Sequence, residues 1–333
     1  MLASRRLLES EQAPRRLRSP LSHTVGRISY RLEGTMRLRL LRYIPYWAME
    51  TCLICLVTAP LLLVPGCTKT LHQDDLFRPW KFTVVPDGVA RDNIEIMASD
   101  STALRGWCLR PENPKGYLVY FYGGGSAVIG IEWRLYWLAE RYHVTVFAVD
   151  YRGCGFSDGS ADAPLLFEDA VTVYDALRER ATNPPGPVLI WGKCLGSFMA
   201  LHVAAVRPID GLILESTATN VREALPNFRR RIPWYARWAV RLRLGQDLLD
   251  CERDYGQPVE TIARLSVPVL IVHGDADELF PLSLARRMYD SCPSEDKALC
   301  IAPGAGHNVE IQEKGVVGCV DNFMRKRVGA TSD

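Results

Sequence analysis

The chain has 333 residues, of which 48% are hydrophobic and 23% are charged. These proportions argue against a disordered chain, a collagen-like chain and a chain made mainly of membrane spans. The length suits one large domain or two small ones, and the formal net charge of +2 is unevenly distributed. Residues 1–66 hold ten Arg and four Glu, whereas the rest of the chain holds 30 basic and 34 acidic side chains. The body is therefore mildly acidic, which argues against nucleic acid as a partner.

The chain begins with a predicted leader over residues 1–66. From Met36, an arginine-rich stretch precedes an uncharged apolar run at 51–64, which is the order of a secretory signal. The residues before Met36 have no hydrophobic periodicity, and we expect them not to fold. The apolar run is too short for a transmembrane helix, which needs about 20 residues, and Pro60 interrupts it.

The end of this leader resembles a bacterial lipoprotein signal. In that pattern a small residue precedes the cysteine that becomes the lipidated N-terminus, as Gly66 precedes Cys67 here. Pro65 departs from the pattern, which usually has a small residue at this position. The resemblance implies a lipid anchor at Cys67 that holds the protein on a membrane of the bacterial cell envelope. An uncleaved anchor and a cytoplasmic protein are the alternatives.

Short apolar runs alternate with helical patterns from residue 81 to residue 328, and residues 67–80 are a predicted linker to the leader. Continuous apolar runs indicate strands buried on both faces, as in a parallel sheet with crossover helices. A helix at 166–180 and another near the C-terminus have apolar residues at helical spacing. The predicted strands are 81–85, 103–110, 117–121, 144–149, 188–191, 212–214, 269–272 and 298–301. The sequence therefore predicts an α/β core over 81–216 and 263–328, with a mostly parallel central sheet and helices on both faces.

Residues 217–262 interrupt this alternation. They contain no predicted strand, but Trp234, Trp238 and Leu242 have the spacing of an amphipathic helix, and arginines lie beside them. We interpret the insertion as a small helical cap. Such a cap covers a pocket, touches a membrane, or packs on the body with its arginines in solvent; the sequence favours packing over membrane contact.

The strongest chemical signal is a glycine-flanked cysteine. The strand at 188–191 runs into Gly192-Lys-Cys194-Leu-Gly196, and an apolar helix follows at once. This strand–turn–helix context is that of a G-x-S-x-G nucleophile elbow, with cysteine where serine usually stands. Glycine is needed on both sides because side chains there would collide with neighbouring backbone, and the helix N-terminus favours a thiolate. A buried structural cysteine beside chance glycines is the alternative, and Ser197 is a second candidate nucleophile.

Two later loops carry a candidate acid and a candidate base. A strand followed by a turn brings Asp277, with Asp275 and Glu278 as rival acids, and the next strand is followed by a glycine-rich loop that ends in His307. His307 could accept the proton of Cys194 while Asp277 fixes the tautomer of the imidazole. An earlier glycine loop, at 123–125, could present the N–H of Gly124 to an oxyanion together with the N–H of Leu195.

These motifs, together with the segment DYRGCGFSDG at 150–159, resemble the α/β-hydrolase superfamily in its compact esterase and serine-aminopeptidase-like branch. The similarity extends over about residues 81–327. It implies an α/β-hydrolase fold without a cofactor, Cys194 as nucleophile, Asp277 as acid, His307 as base, and an oxyanion hole formed by Gly124 and Leu195. Two residues depart from the pattern. Tyr122 replaces the histidine that usually opens the oxyanion loop, and Cys194 replaces serine, as a cysteine does in dienelactone hydrolases.

The resemblance implies hydrolysis of a small-molecule acyl substrate through a thioester on Cys194. Because a thiolate leaves more readily than an amine, an ester, lactone or thioester is favoured over a peptide. Transfer of the acyl group to another acceptor, and peptidase activity, would use the same site. A catalytically silent hydrolase fold that serves as a binding module of the cell envelope is the alternative from a different class.

The ten cysteines do not predict a metal site. Cys52 and Cys55 form a C-x-x-C pair, but they lie inside the apolar leader, and the remaining cysteines are scattered without paired ligand spacing. Disulfides are compatible with an exported protein, and the spacing leaves their connectivity open.

Overall fold

The computed structural model of the protein describes residues 67–77, 91–181, 186–230, 232–234, 237 and 240–329. Eight strands form the main sheet: β2 (Asp92–Met97), β3 (Ala103–Leu109), β4 (Gly116–Phe121), β5 (Val144–Val149), β6 (Val188–Lys193), β7 (Gly211–Glu215), β9 (Val269–Gly274) and β10 (Lys297–Ala302). Their order is β10-β9-β7-β6-β4-β5-β3-β2. Neighbours pair in parallel except for β3, which runs antiparallel to β2 and β5. The predicted mostly parallel central sheet is confirmed.

Helices flank this sheet and connect its strands. The longer ones are α2 (Glu132–Tyr142), α3 (Ala163–Arg180), α4 (Gly196–Val206), α6 (Gln246–Tyr255), α8 (Leu282–Ser291) and α9 (Lys314–Val328). The shorter ones are α1 (Gln73–Phe77), α5 (Leu225–Arg230) and α7 (Pro258–Ile262), with single 3-10 turns at Val128–Ile131 and Arg222–Ala224. Among the described residues, no helix is both long and apolar enough to cross a membrane.

The core lies on both faces of the central strands. Every residue of β4, β5, β7 and β9 is buried, which is why these strands appear in the sequence as continuous apolar runs. Trp107 and Trp191 are almost completely buried, and burying a large apolar side chain contributes roughly 1.5–3 kcal/mol to folding. A disulfide between Cys300 and Cys319 connects β10 to α9.

The segment predicted as a linker at 67–80 contains regular structure where the model describes it. Strand β1 (Cys67–Leu71) pairs in parallel with β8 (Val240–Leu244) in a separate two-stranded sheet. Helix α1 follows, and its Gln73 donates to the carbonyl of Ala161 at 3.0 Å and accepts from the amide of Ala163 at 2.6 Å. The linker prediction is therefore wrong for residues 67–77. No local pattern signals β1, because its partner strand lies about 170 residues further along the chain.

The insertion predicted as a cap lies between β7 and β9 and contains α5, β8, α6 and α7. The amphipathic helix predicted from Trp234 to Leu242 is wrong, because Leu242 belongs to a strand. In β8 the arginines at 241 and 243 alternate with residues that are more buried, which is the period of two that a strand requires. The predicted strand at 81–85, the leader at 1–66 and the Cys67 side chain lie outside the described part of the protein.

Candidate active site

Cys194 occupies a sharp turn between the buried strand β6 and helix α4. Its φ angle is +52°. This left-handed backbone conformation is rare for residues other than glycine and persists only where the surrounding structure imposes it. The amide of Cys194 donates to the carbonyl of Glu215 at 2.8 Å, and its carbonyl accepts from the amide of Ser197 at 3.0 Å. These bonds fix both ends of the turn, so that the partly exposed thiol stands at the N-terminus of α4.

The two flanking glycines are required by close backbone contacts. A Cβ atom on Gly192 would lie 2.4 Å from the carbonyl oxygen of Gly196, and one on Gly196 would lie 2.2 Å from the carbonyl oxygen of Phe121. No residue with a side chain fits at either position without moving the backbone. The steric role that the sequence assigns to these glycines is confirmed.

His307 connects the acid to the cysteine. Its Nδ1 donates to Asp277 Oδ2 at 2.8 Å, and its ring also makes a side-chain hydrogen bond with Cys194. Burial opposes protonation of His307, but the charge of the Cys194 thiolate and the hydrogen bonds with Asp277 and Cys194 raise the pKa of the imidazole to about 10. The structure thus brings Cys194, His307 and Asp277 together in one chain of contacts.

Asp277 is the acid that contacts His307, whereas its rivals do not. The Asp277 carboxylate is buried and also accepts from the amides of Leu279 and Phe280, both at 2.8 Å. Burial alone would raise the pKa of Asp277, but the hydrogen bond and charge of His307, together with the Phe280 amide and His273, outweigh it and hold the pKa below its ordinary value. Asp275 instead accepts from the amide of Gly304 at 2.6 Å, and the Glu278 side chain is exposed.

His273 shapes the acid turn. Its Nε2 hydrogen-bonds the carbonyl of Phe280 at 2.6 Å, and the ring is fully buried. Burial lowers the pKa of His273 and keeps this imidazole neutral. A neutral His273 therefore holds the turn that carries Asp277 through its hydrogen bond with Phe280.

Three bonds that the sequence does not reveal hold the histidine loop on the core. The hydroxyl of Ser216 donates to the carbonyl of His307 at 2.7 Å. Lys193 Nζ donates to Asn308 Oδ1 at 2.8 Å, and Arg134 Nη2 donates to the carbonyl of Val309 at 3.1 Å. Each bond fixes one of three successive residues, so the position of the imidazole is set by the core rather than by the loop alone.

Arg134 in turn depends on a buried ion pair. Its Nη1 contacts both carboxylate oxygens of Glu215, at 2.9 and 2.7 Å, and Trp191 Nε1 donates to Glu215 at 3.0 Å. Glu215 is fully buried and Arg134 nearly so. Burial would raise the pKa of Glu215, but Arg134 and Lys193 outweigh it and hold the pKa below its ordinary value. Since Glu215 also accepts the amide of Cys194, one residue links the elbow to the histidine loop.

The candidate oxyanion donors are the backbone amides of Gly124 and Leu195. A Cβ atom on Gly124 would lie 2.7 Å from Leu195 Cδ1 and 2.1 Å from the carbonyl oxygen of Leu76. The loop that carries Gly124 therefore packs against both Leu195 and helix α1. Within the described residues, neither amide donates a backbone hydrogen bond. The neighbouring Gly123 faces the nucleophile, because a Cβ there would lie 4.0 Å from Cys194 Sγ.

Tyr122, at the position where the resemblance to α/β-hydrolases leads one to expect histidine, is buried in the core. Its hydroxyl donates to Asp150 at 3.0 Å and accepts from the amide of Tyr151 at 3.0 Å. The Tyr151 hydroxyl donates to the Tyr122 carbonyl at 2.7 Å. Asp150 also accepts from the amide of Val128 at 2.7 Å. The start of the oxyanion loop is thus anchored from both its side chain and its backbone.

Ser197 does not offer a second nucleophile. It is fully buried, and its hydroxyl hydrogen-bonds the carbonyl of Cys194 at 2.5 Å and the hydroxyl of Thr217 at 2.9 Å. Among the described residues, no group of three or more His, Cys, Asp or Glu side chains is arranged to hold a metal ion.

An apolar pocket lies next to the turn that carries Cys194, between α3, α4, α6 and α7. Leu195 and Phe198 line it, and Phe198 also packs in the cluster that contains Cys194. Leu76 from α1 contributes to the wall, so the segment after the leader helps to build the pocket.

Comparisons with known proteins agree with this fold. The sequence matches the alpha/beta hydrolase fold family over residues 117–262 and the family described as serine aminopeptidase, S33, over residues 230–314. Human protein ABHD12B is 30% identical over 198 residues, which cover 55% of this chain and 52% of that protein. The chain thus spans about half the length of this relative.

A second similar sequence and a solved structure also support the fold. The uncharacterized membrane protein YNL320W of Saccharomyces cerevisiae is 26% identical over 71% of this chain and 80% of its own length. The solved esterase Pf2001 of Pyrococcus furiosus superposes with a TM-score of 0.60 at 15% identity, covering 74% of this chain and 96% of the esterase.

The protein has the α/β-hydrolase fold, which is consistent with an ester hydrolase. The sequence is similar to the serine aminopeptidase family, and the backbone is similar to that of a solved esterase. The chain carries a cysteine at the tip of the nucleophile elbow.

Proposed function

We propose that the protein hydrolyses an ester, lactone or thioester through an acyl-enzyme on Cys194. The observation that carries this proposal is the position of His307, which hydrogen-bonds Asp277 on one side and Cys194 on the other. An isolated structural cysteine has no need of an imidazole oriented by a buried carboxylate. Thiol catalysis does need both groups.

The reaction divides into two acyl transfers. The Cys194 thiolate attacks the substrate carbonyl carbon, and the amides of Gly124 and Leu195 stabilise the oxyanion. A C–S bond forms and the bond to the leaving group breaks, while His307 gives its proton to the departing oxygen or sulfur. Neutral His307 then takes a proton from water, which attacks the thioester. The C–S bond breaks, the carboxylic acid leaves, and the proton returns the imidazole to its charged form.

The apolar pocket supports a substrate with an apolar acyl part. Leu195 both supplies a candidate oxyanion amide and lines the pocket, so a chain lying there would start at the reacting carbonyl. Because a thiolate is a better leaving group than an amine, the tetrahedral intermediate of an amide would return to substrate. Esters and thioesters avoid this, which supports them over peptides.

Turnover of p-nitrophenyl esters of increasing acyl length tests the proposal. We expect turnover by the full-length protein, loss of turnover in Cys194→Ala, and retained turnover in the control Cys108→Ala, whose cysteine is buried in β3. The ratio kcat/KM should rise with acyl length while the pocket fills. Full activity in Cys194→Ala would place the nucleophile elsewhere. A folded protein that turns over no ester, lactone or thioester would favour the silent binding module.

We also propose that the protein is held on a membrane of the cell envelope by lipidated Cys67. The lipoprotein-like leader supports this location, and the disulfide between Cys300 and Cys319 suits a compartment outside the reducing cytosol. The similar yeast protein YNL320W is named a membrane protein, which also supports a membrane location. Metabolic labelling with an alkyne fatty acid should label the protein but not Cys67→Ser; equal labelling of both would contradict lipidation at this residue.

A further inference from the structure

A broad concavity on the insertion between β7 and β9 is lined by six arginines. Five of the six side chains are exposed, and Arg237 is half-buried. We call these residues the arginine surface: Arg222, Arg229, Arg230, Arg237, Arg241 and Arg243. Two of them are on β8, which is a strand rather than the solvated helix expected from the sequence.

The positive charge of the arginine surface is largely uncompensated. Of these six arginines, only Arg222 lies within ion-pair distance of a carboxylate of the described residues, 3.9 Å from Glu252. Arg229 and Arg237 donate to backbone carbonyls, which fixes their guanidinium groups without neutralising them. The chain after residue 66 has more acidic than basic side chains, so six arginines in one concavity are a local concentration of charge that attracts an anionic partner.

The chain enters the folded body beside these arginines. In the β1–β8 pair, Thr68 lies opposite Arg241 and Thr70 lies opposite Arg243. The apolar run at 51–64 ends three residues before Cys67, and three residues reach at most about 10 Å even when extended. A membrane that holds the apolar run, or a lipid on Cys67, therefore lies within reach of β8.

The arginine surface also adjoins the apolar pocket. Arg222 follows Val221, which lines the pocket, and Glu252, the carboxylate near Arg222, lines the pocket as well. A lipid bilayer against this face would present anionic headgroups to the arginines beside the mouth of an apolar site. Arginine is well suited to this contact because its planar group binds phosphate through two parallel hydrogen bonds.

We propose that the arginine surface docks on the anionic phospholipids of the membrane that anchors the chain, as a second contact that orients the body. Each basic side chain near an anionic bilayer contributes about 1 kcal/mol, which is roughly a fivefold change in binding. Removing two arginines should therefore weaken the preference for anionic vesicles by about 25-fold. The proposal rests on the membrane anchor proposed above but not on the esterase activity, because it is read from vesicle binding.

The test compares binding of the full-length protein to phosphatidylcholine vesicles with and without phosphatidylglycerol. We expect wild type to bind the anionic vesicles more tightly, and we expect Arg241→Gln/Arg243→Gln to reduce this increment about 25-fold while binding neutral vesicles as wild type does. Neutral vesicles thus control for folding and for the anchor. The matched control Arg178→Gln/Arg325→Gln removes two exposed charges from α3 and α9 and should keep the increment.

Three results would overturn the proposal. The tighter binding to anionic vesicles could survive unchanged in Arg241→Gln/Arg243→Gln. The control variant could also lose as much of this binding, which would make the binding an effect of net charge. The increment could also be abolished by inorganic phosphate at matched ionic strength, which would identify a pocket for a small free anion. Raised salt alone should weaken the increment, because the Debye length shortens.

Discussion

Arg134→Met tests the network that joins the nucleophile elbow to the histidine loop. The substitution leaves the fully buried Glu215 without its main partner and frees the carbonyl of Val309. Removing one partner of a buried ion pair costs about 3–5 kcal/mol. Lys193 remains 3.7 Å from Glu215, and Trp191 still donates to it, so we expect a loss near 3 kcal/mol in the free energy of unfolding.

Urea unfolding of wild type and variants measures this loss. The double variant Arg134→Met/Glu215→Gln removes the orphaned charge but keeps an acceptor for Trp191, and it should regain roughly 2 kcal/mol over the single variant. In this more stable double variant, ester turnover should still fall by roughly tenfold, because one of the three bonds to the histidine loop is gone. A single variant that loses less than about 1 kcal/mol, or a double variant no more stable than the single one, would refute the reasoning.

The remaining predictions concern the reacting groups. Gly124→Ala should lower kcat by roughly 10²–10³-fold, because its Cβ would meet the carbonyl of Leu76 at 2.1 Å and displace an oxyanion donor; the control Gly318→Ala, which meets nothing within 4 Å, should be silent. Asp277→Asn should lower kcat by up to about 10⁴-fold with little change in fold, because the wrong tautomer of His307 is then favoured; wild-type kinetics would exclude Asp277 as the acid. An unfolded histidine titrates near 6.5, whereas the pKa of folded His307 is about 10. Its contribution to stability is therefore complete below pH 6.5 and is lost as the pH rises through about 10. An NMR titration should give a lower pKa for His307 in Cys194→Ala, and an unchanged value would contradict the contact.

The sequence predicts the features of the site that depend on local steric and chain-order constraints. The glycine at 192 is fixed by contacts with residues 196–200, whereas the glycine at 196 is fixed by Phe121 on the neighbouring strand β4. The buried strands appear as continuous apolar runs. The residues alone leave Asp275 and Glu278 as rivals of Asp277, and only the resemblance selects Asp277. The physical choice depends on which carboxylate turns inward to accept two amides and His307. That orientation is decided by tertiary packing.

Other parts of the fold carry no local signal. The β1–β8 pair depends on two short segments far apart in sequence, and the exposed edge strand β2 lacks a continuous apolar run. Arg134 lies in an ordinary amphipathic helix, and only the fold places it against Glu215, 81 residues later. Long-range polar contacts of this kind follow from topology and not from residue spacing.

The most direct measurement of the central claim is the mass of the protein after rapid acid quenching during ester turnover. We expect one added acyl group on the peptide that contains Cys194, removable by neutral hydroxylamine as a thioester should be, and no such adduct in Cys194→Ala. An acyl group on a different residue, or turnover with no covalent intermediate and no dependence on Cys194, would contradict the account.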